Sequence, residues 1–204
     1  MVFAFRSLAS LAGAFLLFGT GCASTGEPAA TVPPELEADL QRQGTVEERV
    51  DTVVDVRSWQ LHPINVTGDP FIPGVSESGR ELRIGAIATI TGPEHPVNPG
   101  HSGIQILFMG VSDDWLYRDE DVDTVELLLD GEDRLELRIV TYDDSPGQGY
   151  VVEVMNAPVS IELLDALTEA SFVEGRLGSV EFALADRELE GFREFRDALP
   201  PEIR

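Results

Sequence analysis

The feature that most constrains the fold is an alternation of apolar and polar residues that recurs along the chain from Val50. A period of two places apolar side chains on one face of a β-strand and leaves the other face to solvent. The apolar positions of these runs are Val50, Val54 and Val56; Leu82, Ile84, Ala86, Ala88 and Ile90; Ile104, Ile106 and Phe108; Val125, Leu127 and Leu129; Leu135, Leu137 and Ile139; and Val152 and Val154. We therefore predict a mainly β protein.

Turn residues between the runs indicate how the strands connect. Asp130 and Gly131 separate two alternating runs, and this pair predicts a hairpin because both residues tolerate positive φ. The sequence Asp-Ser-Pro-Gly at 144–147 predicts a second reversal. Short connections favour antiparallel pairing, and two stacked sheets bury one apolar face each. The predicted architecture is an antiparallel β-sandwich.

The C-terminal part has a different pattern. Ser160 is predicted to cap one helix and Asp186 a second, with a strand at 180–184 between them. The helical faces are Ile161, Leu164, Leu167 and Ala170 in the first helix, and Leu189, Phe192, Phe195 and Leu199 in the second. Both faces are expected to pack on a sheet. From Tyr150 the predicted order is a strand-helix-strand-helix tail, which makes the fold α+β.

The N-terminus carries a different signal. Arg6 is the only charged residue before Glu27, and an apolar stretch at 8–18 follows it. This stretch has the length of a signal-peptide core and falls short of the ~20 residues that span a bilayer. We predict that residues 1–21 form a signal peptide. Small residues then lead to Cys22, the only cysteine, so an internal disulfide is excluded.

Residues 1–22 resemble the lipobox of bacterial lipoproteins, whose cysteine receives a diacylglycerol and becomes the first residue after cleavage. Gly19 stands where that family usually has leucine. The resemblance implies lipidation of Cys22, with membrane lipid as a partner. Ala23, in the position where aspartate marks retention at the inner membrane, implies the outer membrane. The alternative is a plain secretory signal in which Cys22 is incidental.

The domain organisation follows from these segments. Residues 22–44 are predicted to be the lipidated cysteine and a flexible tether, rich in small residues and proline. Residues 45–204 are predicted to form a single β-sandwich-like domain with two C-terminal helices, which is enough chain for one ordinary core. The stretches LLDAL, VEGRLG and VEFAL, with the final amphipathic helix, resemble the closing segment of uncharacterised bacterial envelope proteins. That resemblance implies no named activity.

The net charge of −23 restricts the partners. A field of this sign repels nucleic acids and anionic lipid headgroups, so we do not expect nucleic-acid binding. The same acidity keeps the surface hydrated, so it does not by itself indicate a cationic ligand.

Two loops contain residues that suit metal ions. The loop 92–103 holds Glu94, His95 and His101, a combination that zinc accepts. The alternative for this loop is an exposed connection between strands.

The acidic stretch 113–123 holds the second set, which is Asp119, Asp121 and Asp123. These three have the first spacings of a calcium loop. The sixth and twelfth positions hold Thr124 and Asp130, where such a loop needs glycine and glutamate. A solvated acidic turn is the alternative.

The remaining candidates are weaker. Trp59 and Trp115 lie near predicted loops, where they either line a binding surface or pack in the core. The serine in GHSG at 100–103 lacks the spacing of a nucleophile elbow, and no catalytic residue is predicted.

The functional prediction combines these observations. We predict a lipid-anchored cell-envelope protein of non-enzymatic accessory or interaction type, with an envelope protein as partner and no cofactor. The alternative is an extracytoplasmic domain that uses the loops 92–103 and 113–123 to bind a ligand or a metal ion, or to hydrolyse a substrate.

Overall fold

A computed structural model describes residues 41–52, 55–68, 79–91, 103–118, 120, 122–146 and 150–203. Within these residues, every helix is too short or too polar to cross a lipid bilayer. The strands are β1 (Val46–Asp51), β2 (Val56–Asn65), β3 (Arg80–Thr91), β4 (Gly103–Ser112), β5 (Thr124–Leu129), β6 (Asp133–Arg138), β7 (Thr141–Pro146), β8 (Val151–Val159), β9 (Val173–Leu177) and β10 (Val180–Leu184). The helices are α1 (Ile161–Glu169) and α2 (Asp186–Ala198).

The strands form two antiparallel sheets, which confirms the predicted mainly β sandwich. One sheet has six strands in the order β1-β2-β3-β4-β8-β7, and the other has four in the order β10-β9-β5-β6. The chain passes from one sheet to the other after β4, after β6 and after β8. Each sheet therefore contains strands that are distant in sequence.

The core lies where the apolar faces of the two sheets meet the helices. The rings of Phe108 on β4 and Phe182 on β10 pack with centroids 6.3 Å apart and join the sheets directly. A gap of only about 10 Å³ remains between side chains of both sheets and both helices. Its lining is Ile84, Ile106, Phe108, Leu127, Leu167, Phe182, Leu184 and Phe192. The two sheets and both helices thus share one core.

The two helices have the predicted positions and the predicted buried faces. The Ser160 hydroxyl accepts a hydrogen bond from the Leu163 amide at 3.3 Å and caps α1, as the sequence predicts. Helix α2 packs on α1 and against β1, β2, β3 and β10. Its Arg193 donates to the carbonyl oxygens of Thr168 and Ala170 at the end of α1. This guanidinium satisfies carbonyls that a helix C-terminus leaves without internal partners.

The predicted cap of α2 is wrong by one residue. The N-cap is Ala185, and Asp186 is the first helical residue. Alanine has no side-chain acceptor, so the cap is made from the other direction: the Glu188 carboxylate accepts from the Ala185 amide at 3.1 Å. The carboxylate of Asp186 lies in the first turn, where the helix dipole favours negative charge.

The continuous strand predicted at 50–57 is also wrong. β1 ends at Asp51 and β2 begins at Val56, and these two residues pair with each other across the hairpin. Asp55 has a left-handed backbone with φ of 48°. The alternation of valines therefore continues through the turn between β1 and β2, so the sequence pattern did not indicate the turn.

Two further boundaries differ from the predictions. Asp144, Ser145 and Pro146 belong to β7, so the reversal into β8 comes after Pro146, which pairs with Val151. The single strand predicted between the helices is a hairpin of β9 and β10. The strand-helix-strand-helix order is preserved, with two strands in the third position.

Candidate interaction surface

Most of the predicted site residues lie outside the part of the chain that the structure describes. Cys22, Glu94, His95, His101, Asp119 and Asp121 lie outside the described residues. Asp123 lies among them: its side chain is exposed, and its carbonyl oxygen accepts a hydrogen bond from the Ile139 amide at 2.8 Å. Within the described ranges, no three His, Cys, Asp or Glu side chains come close enough to hold a metal ion. The zinc and calcium sites stay predictions.

The described start of the acidic stretch is held by one buried carboxylate. Glu153 occupies a core-facing position on β8 and has no exposed surface. Its carboxylate accepts hydrogen bonds from the amides of Leu116, Tyr117 and Arg118 at 2.8, 3.0 and 2.9 Å. The Tyr142 hydroxyl donates a fourth at 2.7 Å. These bonds satisfy a buried charge and fix the loop on the sheet.

Glycine at position 110 makes room for this loop. A side chain there would overlap the ring of Tyr117, which is 2% exposed. Burial first, and then the charge of Glu153, raise the pKa of the Tyr117 phenol above its usual range. The same two residues of the sheet, Gly110 and Glu153, pair directly across β4 and β8. Together they hold the loop: Gly110 leaves room for the ring of Tyr117, and Glu153 accepts hydrogen bonds from the loop amides.

The end of the acidic stretch is also used by the fold. The Glu120 carboxylate accepts a hydrogen bond from the Ser179 amide in the turn between β9 and β10, at 2.8 Å. A side chain on Gly178 would overlap this carboxylate, and Gly178 has a positive φ of 56°. Glu120 therefore fastens the β9–β10 turn, and part of the acidity of this stretch is structural.

The two tryptophans pack rather than form one surface. Trp59 is 3% exposed and lies in the core, with the Arg57 guanidinium 4.9 Å from its ring centroid. Trp115 is half-buried beneath the Arg118 guanidinium at 4.8 Å. Both contacts have the geometry of a cation–π interaction.

A cluster of three ionisable side chains lies at the edge of the six-stranded sheet. His62 Nε2 and the Arg49 guanidinium both lie 3.0 Å from the same oxygen of Glu47. The hydrogen bond from Arg49, and after it the one with His62, lower the pKa of the Glu47 carboxyl from 4.5 to about 2. The only described histidine is thus engaged by the fold.

The solvent face of the four-stranded sheet has features of a binding site. We call it the charged face: two rows of side chains cross all four strands. The first row is Glu181, Arg176, Glu126 and Glu136, and the second is Ala183, Glu174, Leu128 and Arg134. The face is concave, with a volume of about 590 Å³.

The ion pair at the centre of the first row of this face is open to solvent. Arg176 donates to Glu126 at 2.8 Å, and each side chain is 54% exposed. Such exposed pairs contribute little to stability, so the face is available to exchange its partners for those of another molecule. The half-buried Leu128 gives the face an apolar centre.

A groove runs along the side of β10 that faces away from β9. We call it the edge groove: it has a volume of about 540 Å³ and is lined by Val66, Thr67, Arg80 and the four residues from Val180 to Ala183. Val66 and Thr67 follow β2, and Arg80 begins β3, so the groove separates the edge of one sheet from the end of the other. Among the described residues, no strand pairs with β10 on this side.

Comparisons with protein-family models, with characterised proteins and with solved structures find no match for this chain. Neither the charged face nor the edge groove was predicted from sequence. The available signal was the alternation of charged with apolar or small residues in DRLELR and VEGRL, which predicts strands with a polar face but not which strands lie side by side.

Proposed function

We propose that this protein is a lipid-anchored accessory of the cell envelope that binds a partner protein through its four-stranded sheet. Cys22, by its lipobox resemblance, would carry the acyl chains, and residues 23–40 would give the domain reach from the membrane. Two or more acyl chains hold a protein stably at a bilayer, where a single chain binds only marginally.

The observation that carries the binding role is the charged face. It combines a concave surface with a central apolar residue, Leu128, and rows of glutamate and arginine around it. An apolar centre within a polar rim is the usual anatomy of a protein interface. Neighbouring charges of both signs favour a partner with a defined charge pattern over non-specific attraction.

The anchor is tested by cell fractionation. The wild-type chain is expected in the outer-membrane fraction, the variant Cys22→Ser in the soluble fraction, and the variant Ala23→Asp at the inner membrane. Retention of Cys22→Ser in the membrane would contradict the anchor. A normal position of Ala23→Asp in the outer membrane would contradict the sorting that the resemblance implies.

The binding role is tested by crosslinking in native membranes, followed by affinity recovery and mass spectrometry. One envelope protein is expected in stoichiometric amount with the wild-type chain. Recovery of that protein should fall with Glu126→Arg, which places like charges beside Arg176. The control is Glu132→Arg, a change of equal charge at an exposed turn residue outside the charged face. Equal recovery with both variants, or recovery of abundant proteins only, would contradict the proposal.

A further inference from the structure

In the described part of the chain, β10 has no partner strand on the side of the edge groove, and its backbone groups on that side face the groove. β9 and β10 are joined by the two residues Gly178 and Ser179, and Leu177 pairs with Val180. Only Gly178 of these two has a positive φ, which is the pattern of a type II′ turn. In such a hairpin the closing pair exchanges both of its hydrogen bonds, and alternate residues direct their N–H and C=O groups outward. Glu181 and Ala183 are the outward residues of β10.

The other three sheet edges are protected by charge or proline. β1 contains Glu47, Glu48, Arg49 and Asp51; β6 contains Asp133, Arg134, Glu136 and Arg138; and β7 contains Asp143, Asp144 and Pro146. Charges and proline on an edge strand discourage the addition of another strand. β10 has one charged residue, Glu181, and a groove beside it. It is the least protected edge in the described part of the chain.

We propose that the edge groove binds an extended segment of a partner protein, which adds to the four-stranded sheet as a fifth strand beside β10. This inference rests on the proposed function and names the binding site and the chemistry of the partner. Addition of a strand to a sheet edge is a recurrent mode of peptide recognition, in which backbone hydrogen bonds supply affinity.

The charges select the segment. A fifth strand would extend the row that begins with Glu181 and Arg176, and a basic side chain opposite Glu181 would form a cross-strand pair of opposite charges. On the other face the segment would meet Val180, Phe182 and the half-buried Val66, which suit apolar side chains. The expected segment therefore alternates basic and apolar residues.

A second copy of the chain is a poorer occupant. Each copy carries a net charge of −23, so two copies repel one another. Pairing of two β10 strands would also bring two copies of Glu181 to the same short interface. A basic partner gains from the same charge that separates two copies.

The test uses the full chain purified from membranes in detergent. The probe is a fluorescent peptide of about seven residues, the length of an ordinary strand, in which Arg and Val alternate. The control peptide has the same sequence with every backbone amide N-methylated, so it keeps the charge and the side chains but cannot donate hydrogen bonds to the ladder. We expect the dissociation constant of the control peptide to be higher by about tenfold or more, which corresponds to about 1.4 kcal/mol.

The variant Ala183→Pro removes an outward N–H without removing a bond to β9, a position where edge strands accept proline. It should weaken binding of the Arg-Val peptide by about tenfold or more, while Ala183→Val, which keeps the N–H, should not. Glu181→Arg should reverse the preference toward a peptide in which Glu and Val alternate. This reversal keeps the test decisive if Ala183→Pro does not fold.

The proposal would be overturned by equal affinity for both peptides, or by an unchanged charge preference in Glu181→Arg. Dimers of the wild-type chain in sedimentation that are lost in Ala183→Pro would also overturn it, since the occupant would then be a second copy. The two proposals fail separately. If crosslinking to the envelope partner persists in Ala183→Pro, the groove is not the binding site, but the accessory role stands. If the peptide binds but no envelope partner is recovered, the groove binds extended segments and the accessory role is contradicted.

Discussion

The ring of Phe182 lies over Gly175 on the neighbouring strand, where any larger residue would overlap it. The two residues pair directly between β9 and β10. An aromatic ring over a glycine covers backbone that would otherwise lack a packing partner in the sheet. Because Phe182 also packs on Phe108, this pair ties the four-stranded sheet to the six-stranded sheet.

The first prediction concerns this pair. Gly175→Ala should lower the free energy of unfolding by about 1–3 kcal/mol, because the added methyl group forces the buried ring out of its place. Urea denaturation measures the effect. Phe182→Leu is the partner variant for a double-mutant cycle, and the double variant should lose less than the sum of the single losses. Additive losses would show that the ring does not limit position 175.

The second prediction concerns the buried carboxylate. Glu153→Gln keeps the size of the side chain but turns an amide N–H toward the backbone amides of 116–118, and should cost roughly 3 kcal/mol. Hydrogen exchange at those amides should accelerate in the same variant. Tyr142→Phe, which removes a single donor to the carboxylate, should cost about 1 kcal/mol and serves as the matched control. Unchanged exchange at 116–118 in Glu153→Gln would contradict the assignment.

The third prediction concerns acid. The pKa of Glu47 is lowered from 4.5 to about 2 in the folded protein, first by Arg49 and then by His62. A carboxyl whose pKa is lowered on folding stabilises the fold above its unfolded pKa, and this contribution is lost as the pH falls. The free energy of unfolding should therefore decline as the pH falls from 4.5 to about 2. Glu47→Gln should make the dependence on pH less steep in this range. Denaturation across this window, with an NMR titration of Glu47, measures both. A folded pKa near 4.5 would contradict the prediction.

The fourth prediction concerns alkali. Burial first, and then the hydrogen bond to Glu153, raise the pKa of the Tyr142 phenol above its ordinary value. A phenol whose pKa is raised holds its proton more tightly in the folded state, so its contribution is complete below about pH 10 and is lost as the pH rises. Tyr142→Phe should lose stability less steeply in that range. The slope should not vanish, because burial raises the pKa of Tyr117 as well. Identical slopes in the variant and the wild type would exclude Tyr142 as a cause.

Local sequence patterns correctly predicted the elements in which apolar residues recur with the period of the strand or helix. The alternation at Leu82 to Ile90 became β3, and the Asp130-Gly131 pair became a hairpin with both residues at positive φ. The helical faces also matched, because Leu164, Leu167, Phe192 and Phe195 are buried. In each case the periodicity follows directly from which side of the element meets the core.

The missed features depend on contacts between distant residues. β9 was missed because Gly175 stands where an inward apolar residue would have completed the alternation, although Gly178-Ser179 is itself a hairpin signal. Glu153 was passed over as one acid among many. The sequence pattern placed Val152 and Val154 on the apolar face of this strand, and that face was wrong: Glu153 lies on the buried face with Val151 and Met155. The three backbone amides that Glu153 binds lie more than thirty residues away. The charged face needed the order of four strands, which periodicity does not contain.

The exchange of the chain between sheets has a consequence for biogenesis. β5 and β6 are made before β9 and β10, but β5 is joined to β10 only through β9, and the last helix closes the core after that. A polypeptide that emerges from its N-terminus first cannot complete the four-stranded sheet until nearly all of it is available, because loop closure precedes such long-range pairing. Truncation just before β9 should thus leave an open, aggregation-prone intermediate rather than a smaller stable domain. β9 and β10 are the last strands to emerge; both line the charged face and β10 lines the edge groove, so neither surface can form before these strands have been made.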